Sequence, residues 1–281
     1  MVYVPTEKRY EKHIETELNN LIDDGLQFHS KIHKKGDGWY DKNLCVVGSE
    51  FMTFLKESQT KTYEKLSKKY GDSIHQKVLS RLNKEIENKG LIHVLRKGFN
   101  DIYVGNIKTV FFQPNSSLNE KYRDEKYLKN KFLLVRQLAY STNNNNSIDI
   151  GIFINGIPIL TIELKNQFTG QNYKDSENQY KNRDPKEPIF QFKRCIVHFC
   201  ADNNNVSMTT RISGKKTFFF PYNRDLINPP VKKGYRTKYL WEKVLTPDSL
   251  LDIIENFVHL AKPKDYFFNE KTNKIDFKRN I

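Results

Sequence analysis

The 281 residues nowhere contain Gly-x-x-x-x-Gly-Lys-(Ser/Thr), so the chain lacks the loop whose backbone amides cradle nucleotide phosphates, and ATP binding is not expected. Cysteine is scarce. Cys45, Cys195 and Cys200 form no C-x-x-C pair, which excludes a thiolate zinc site and a disulfide framework; the last two sit in an apolar strand pattern as small core residues. No apolar run approaches the roughly 20 residues that cross a bilayer, and the sequence is polar from Thr6 onward, so a soluble cytoplasmic protein without a membrane partner is expected. Nothing resembles a helix-turn-helix. His29 and His33 have i,i+4 spacing but no acidic or thiol companions, which argues against a metal pair.

Acid is also in short supply. Thirty-three Asp+Glu face 47 Lys+Arg, a formal charge of +14 and a pI near 9.4. This balance suits a polyanion, most commonly nucleic acid. Each basic run, 31–35, 61–69, 126–131 and 262–278, is by itself an ordinary solvated face; the argument rests on their sum.

What the chain does have is concentrated in residues 147–166, SIDIGIFINGIPILTIELKN. Asn155-Gly156 supplies positive φ at both positions of a tight turn, and the β-branched runs on either side predict a hairpin. Side chains alternate along a strand, so Glu163 and Lys165 project from one face while Ile162 and Leu164 enter the core. Asp149, Glu163 and Lys165 then form a D…ExK set: two carboxylates for a hard divalent cation such as Mg²⁺, and an ammonium that can hold a water or offset charge developing on phosphorus. A solvated strand face beside a turn aspartate would carry the same letters. A strict two-residue turn pairs Asp149 with Ile162 and turns it away from Glu163. Pro158, which lacks an N–H, therefore predicts a bulge just after the turn.

Around this hairpin the pattern predicts a helix over 6–24, a loop with a short strand over 25–42, and helices over 49–59, 61–69 and 73–88, the last opened by a Ser73/Gln76 capping box and closed by Gly90. Strands follow over 102–112 and 132–140, with a helix over 118–130 between them. Beyond the hairpin come a helix from Tyr173 to about Arg183, strands over 189–201 and 206–212, and a buried aromatic strand in 215–224, whose Phe218–Tyr222 could otherwise stack on nucleotides. Helices over 239–245 and 250–261, the second capped by Thr246 with Pro247 at its first position, precede a polar, basic tail. The sum is an α/β fold, a mixed central β-sheet flanked by helices.

The stretches FINGIPI (153–159), TIELKNQFTGQN (161–172), QYKNRDP (179–185), FKRCIVHF (192–199) and MTTR (208–211), continuing through FFPYNR (219–224) and YLWE (239–242), resemble the N-terminal nuclease region of the type I restriction endonuclease R subunit, a RecB-like PD-(D/E)xK nuclease. The likeness covers most of the chain. It implies an endonuclease domain over 1–261 with a helical insertion at about 47–90, then a basic linker, 262–281, towards a helicase-type motor absent from this sequence. It implies a type I site-specific deoxyribonuclease acting on double-stranded DNA, with Asp149 and Glu163 as Mg²⁺ ligands and Lys165 positioning water or stabilising charge. The branch's QxxxY motif is matched at Gln179, an orienting residue, whereas its tyrosine position holds Arg183, read as a DNA phosphate contact. A glutamate on the first helix completes such sites; Glu11 fits that place better than Glu15. Methyltransferase and specificity subunits would be partners, and ATP and S-adenosylmethionine would enter only through absent domains or those subunits. A non-catalytic DNA-gripping or assembly module, and a stand-alone RecB-like repair nuclease, are the competing readings.

Overall fold

The computed structural model describes residues 6–34, 36–114, 119–167 and 170–261, and the backbone of 264–269 and 274–279. Tyr10, Ile14 and Leu18, one turn apart, make the buried stripe of α1 (Glu7–Asn20). Asp24-Gly25, both at positive φ, then turn a short hairpin of β1 (Ile22–Asp23) and β2 (Leu26–Ile32). The short strand expected within 25–42 is thus β2, a strand of the main sheet.

Helices α2 (Gly48–Ser58), α3 (Thr60–Tyr70) and α4 (Ile74–Lys89) lie within two residues of their predicted bounds. Gly90, at φ +85°, ends α4 as expected, but Ser73 does not cap it: its hydroxyl donates back to the Tyr70 carbonyl. Strand structure does not begin at Leu91. The chain makes another helix, α5 (Leu91–Lys97), and then a small separate hairpin, β3 (Phe99–Asp101) with β4 (Gly105–Ile107). Most of the predicted 102–112 strand is irregular, its apolar Val110 and Phe111 buried under other elements without a ladder partner. α6 (Glu120–Glu125) is shorter than predicted.

β5 (Phe132–Ala139), β6 (Ser147–Ile154) and β7 (Ile157–Leu164) form the middle of an eight-stranded mixed sheet. After α7 (Tyr173–Lys181) come β8 (Val197–Ala201), β9 (Val206–Thr209) and β10 (Phe220–Pro221), giving the order β1-β2-β5-β6-β7-β8-β9-β10. β2 runs parallel to β5, and β8 parallel to β7. Every residue of β7 is buried, as expected of a central strand covered on both faces. One face packs on α1, α2, α4 and α5 through Ile150, Ile152, Ile162 and their neighbours; the other carries Leu133, Val135 and Phe153 with Tyr180 of α7.

Three strand expectations are corrected. Only 197–201 of 189–201 is strand, because Pro188–Phe190 makes a tight helical turn. The 206–212 strand stops at Thr209. The aromatic run is an exposed edge: Phe218 and Phe220 lie 67% and 52% exposed, their rings 4.8 Å apart. The last helical segments are a π-helical turn over 240–244 and α8 (Pro247–Asp252), which runs on as a second π-helical turn to Phe257. Thr246 precedes α8 in extended conformation with Pro247 at its first turn, although the threonine side chain makes no cap bond. The tail holds an antiparallel pair, β11 (Lys264–Asn269) with β12 (Lys274–Arg279), where an irregular linker was expected.

The hairpin turn is held from outside. Gly156, at φ +76°, accepts a hydrogen bond from the Val47 amide at 2.8 Å, and a Cβ there would lie 2.3 Å from the Val47 carbonyl oxygen. Gly156→Ala is therefore expected to destabilise the fold by about 2 kcal/mol or more, from lost left-handed freedom plus a backbone clash. Thermal unfolding checks this; an unchanged midpoint would mean that the turn shifts freely away from α2.

Candidate active site at the end of the central hairpin

The β6–β7 register starts as a two-residue turn requires, with Ile154 opposite Ile157 and Phe153 opposite Pro158. It then slips: Ile152 faces Leu160, Gly151 faces Thr161 and Ile150 faces Ile162. Ile159 is the extra residue, the bulge expected beside Pro158. As a result Ile159 and the adjacent Leu160 both enter the same core. Continued one step, the shifted register sets Asp149 opposite Glu163, on one face.

The two carboxylates differ in surroundings. Glu163 is fully buried; its Oε1 accepts from the Arg183 guanidinium, while its Oε2 is buried with no hydrogen-bond partner. Asp149 is half-buried, and its Oδ2 accepts from the Leu164 amide at 2.7 Å. Burial, and then the charge of Asp149, push Glu163 well above the usual carboxylate range against the pull of Arg183 and Lys165. Burial likewise raises Asp149, opposed by the Leu164 amide and Lys165. Two adjacent carboxylates, the deeper one disfavoured in its charged form by the other and with a buried oxygen that no donor meets, make a donor set for a hard cation. Among the described residues no three His, Cys, Asp or Glu side chains converge into a cage. A pair of carboxylates suits Mg²⁺, which takes one or two carboxylates and keeps several waters.

Lys165 lies just past β7, its amide donating to the Ala201 carbonyl of β8 at 2.9 Å. Its ammonium is 2.7 Å from Glu7 Oε1. Burial works against the charged form, but Glu7, Asp149 and Glu163 outweigh it and raise the lysine above its ordinary value. Glu7 escaped the sequence reading. It lies one helical turn before Glu11 on the same face of α1, the spacing that could have found it.

Glu11 is buried, with Oε1 accepting from Gln137 Nε2 at 2.9 Å and Oε2 from Arg136 Nε at 3.3 Å. The same Gln137 nitrogen reaches Asp149 Oδ1 at 3.4 Å, so one amide links the two acids. Gln137 holds φ +53°, a left-handed conformation costly for a side chain and common where a strand re-aims a functional group. No sequence signal marked it. Glu15, the alternative to Glu11, turns to Lys12, Ser30 and Arg136. Gln179 stands half-buried on α7. Arg183 is 8% exposed and bonds inward, to Glu163, to Tyr140 Oη at 2.6 Å and to the Ser147 carbonyl at 2.8 Å. The phosphate contact expected of it finds no support in this placement.

Beside the lysine, fully buried Asp202 ends β8. Its carboxylate accepts from Gln167 Nε2, from the Tyr173 amide that opens α7, and from the amides of Asn204 and Asn205. Its carbonyl accepts from Tyr10 of α1 and from Thr237, both at 3.0 Å.

Burial, and then Asp149, push the Glu11 carboxyl up to about 7 from an ordinary 4.5. A raised carboxyl favours the folded state while protonated. Its contribution is complete below about pH 4.5 and is lost as pH rises through 7. In metal-free buffer, the stability of Glu11→Gln relative to wild type is therefore expected to grow between pH 4.5 and 8, by about 1–3 kcal/mol. Denaturant titrations at the two ends measure it, and a constant difference would remove Glu11 from the acidic cluster.

Fold and site together define a class: a mixed α/β sheet domain whose central hairpin ends in a buried and a half-buried carboxylate side by side and a lysine. The chain belongs to the family described as the type I restriction enzyme R protein N terminus, whose model matches residues 9–217. A protein of Methanocaldococcus jannaschii, named as the candidate endonuclease subunit of the type I restriction enzyme MjaVIIIP, is 25% identical over 138 residues. That match covers 48% of this chain and 13% of the relative. Among the described residues no helix is long and apolar enough to cross a membrane.

Proposed function

We propose that this chain is a DNA endonuclease domain of PD-(D/E)xK type that hydrolyses phosphodiester bonds with Mg²⁺, within the R subunit of a type I restriction system. The observation that carries the reading is Glu163 Oε2, a buried carboxylate oxygen without a partner, on the face that the bulge gives to Asp149. Asp149 and Glu163 would hold the ion, which when bound supplies Lewis-acid charge at the phosphoryl group and a more acidic water. Lys165 holds a water or the phosphoryl oxygen by its ammonium and offsets negative charge as it builds. Glu7 fixes that ammonium, and Gln137 fixes Asp149 and Glu11 against each other. The net charge of +14 suits duplex DNA as the substrate. Delivery of DNA by an ATP-driven motor, and assembly with methyltransferase and specificity subunits, belong to the same proposal, with the family match as their support.

The test is Mn²⁺ or Mg²⁺ calorimetry on wild type and Asp149→Ala, with plasmid nicking on the same samples. Metal binding that disappears in the variant supports a nuclease centre at the hairpin, even where cutting needs a motor. Equal binding by the two proteins would favour a module that only grips DNA or partners.

A further inference from the structure

The two oxygens of Glu163 have different fates. Oε1 is held by the Arg183 guanidinium, and Oε2 is buried without a hydrogen-bond partner, the carboxyl lying beside Asp149. The guanidinium is itself held twice more, by Tyr140 Oη and by the Ser147 carbonyl. Its three acceptors come from three adjoining stretches: the end of β5, the start of β6 and the end of β7. Arg183 also stacks over the Tyr140 ring, 5.0 Å from the centroid. A planar fork meets three such acceptors at once; an ammonium on a flexible stem does not.

We propose that Arg183 is a positioning residue, fixing Glu163 by one oxygen so that the other is presented to the divalent cation as a one-oxygen ligand. This rests on the metal-site reading above. A fully buried carboxylate with no partner on Oε1 would be free to rotate and to turn its second oxygen away from the cation. Arg183 removes that freedom, and Tyr140 and Ser147 remove it from Arg183. The arginine serves the metal ligand from beneath.

Mn²⁺ calorimetry on the 281-residue chain, with thermal unfolding alongside, compares wild type with Glu163→Gln, Arg183→Gln and Arg183→Lys. Losing an outer partner of a metal ligand typically costs 10–100-fold in affinity, so Arg183→Gln is expected to bind Mn²⁺ about 10–100-fold more weakly. Arg183→Lys keeps the charge but not the fork and should fall between that variant and wild type. If Arg183→Gln does not fold, the lysine variant decides. Affinities within twofold of wild type for the folded Arg183 variants, with binding lost in Glu163→Gln, would overturn the positioning role and leave Arg183 structural. Binding that survives Glu163→Gln unchanged would instead overturn the metal site itself, and this proposal with it.

Discussion

Lys165→Ala is expected to lower DNA cleavage by about 10²–10³-fold while leaving divalent-cation binding in place. That is the size of effect seen when one preorganised group aimed at developing charge is removed. The ammonium is well prepared for this task, being almost buried, held 2.7 Å from Glu7 and kept charged by three carboxylates. It is not a cation ligand, so calorimetry should return an affinity near wild type or slightly tighter, one positive charge having gone. The measurement is single-turnover nicking of closed circular DNA, in the longer R subunit should the chain alone not cut. Undiminished cutting by Lys165→Ala would remove the lysine from the chemistry and favour a vestigial centre.

The second large effect is structural. Asp202→Ala is expected to destabilise the fold by about 3–5 kcal/mol, because it strands four donors that a buried carboxylate now satisfies. One of these is the first amide of α7, the helix that leads to Arg183, and the neighbouring Ala201 carbonyl holds Lys165. The thermal midpoint should fall by about 6–15 °C. Asp202→Asn, which keeps an acceptor oxygen, should lose less. A loss under about 1 kcal/mol for the alanine variant would mean that water replaces the carboxylate and that the β8 end does not organise the site.

Much of this arrangement could be read from the letters. Asn155-Gly156 announced the turn, the isoleucine runs announced buried strands, and Pro158 announced the slip that puts Asp149 beside Glu163. The helices over 48–89 declared themselves by their apolar spacing and by Gly90. Elsewhere tertiary packing prevailed over local pattern. Val110 and Phe111 are apolar because they are covered, not because they pair; Leu91–Lys97 is helical although its apolar residues read as the beginning of a strand. Asp24-Gly25 is a hairpin turn by the same rule as Asn155-Gly156, but its first strand is only two residues long, too short to show an alternating pattern. In the site, the members that come from other elements were the hardest to see. Gln137 depends on an unusual φ that no spacing records, whereas Glu7 could have been found only from its place one turn before Glu11. Arg183 reads as a DNA phosphate contact because nothing in the sequence says that its neighbours bury it.

The single extra residue in β7 gives the chain a parity. Between Asp149 and Glu163 the strand must contain one slip, since with none or with two the acids stand on opposite sides of the sheet. The number of residues separating the two acids is therefore less constrained than its oddness or evenness. In relatives of this chain the turn should lengthen or shorten in pairs of residues, or singly together with gain or loss of a bulge. A lone deletion at Ile159 would leave every letter of the D…ExK set in the sequence while dividing its chemistry between the two faces of the sheet.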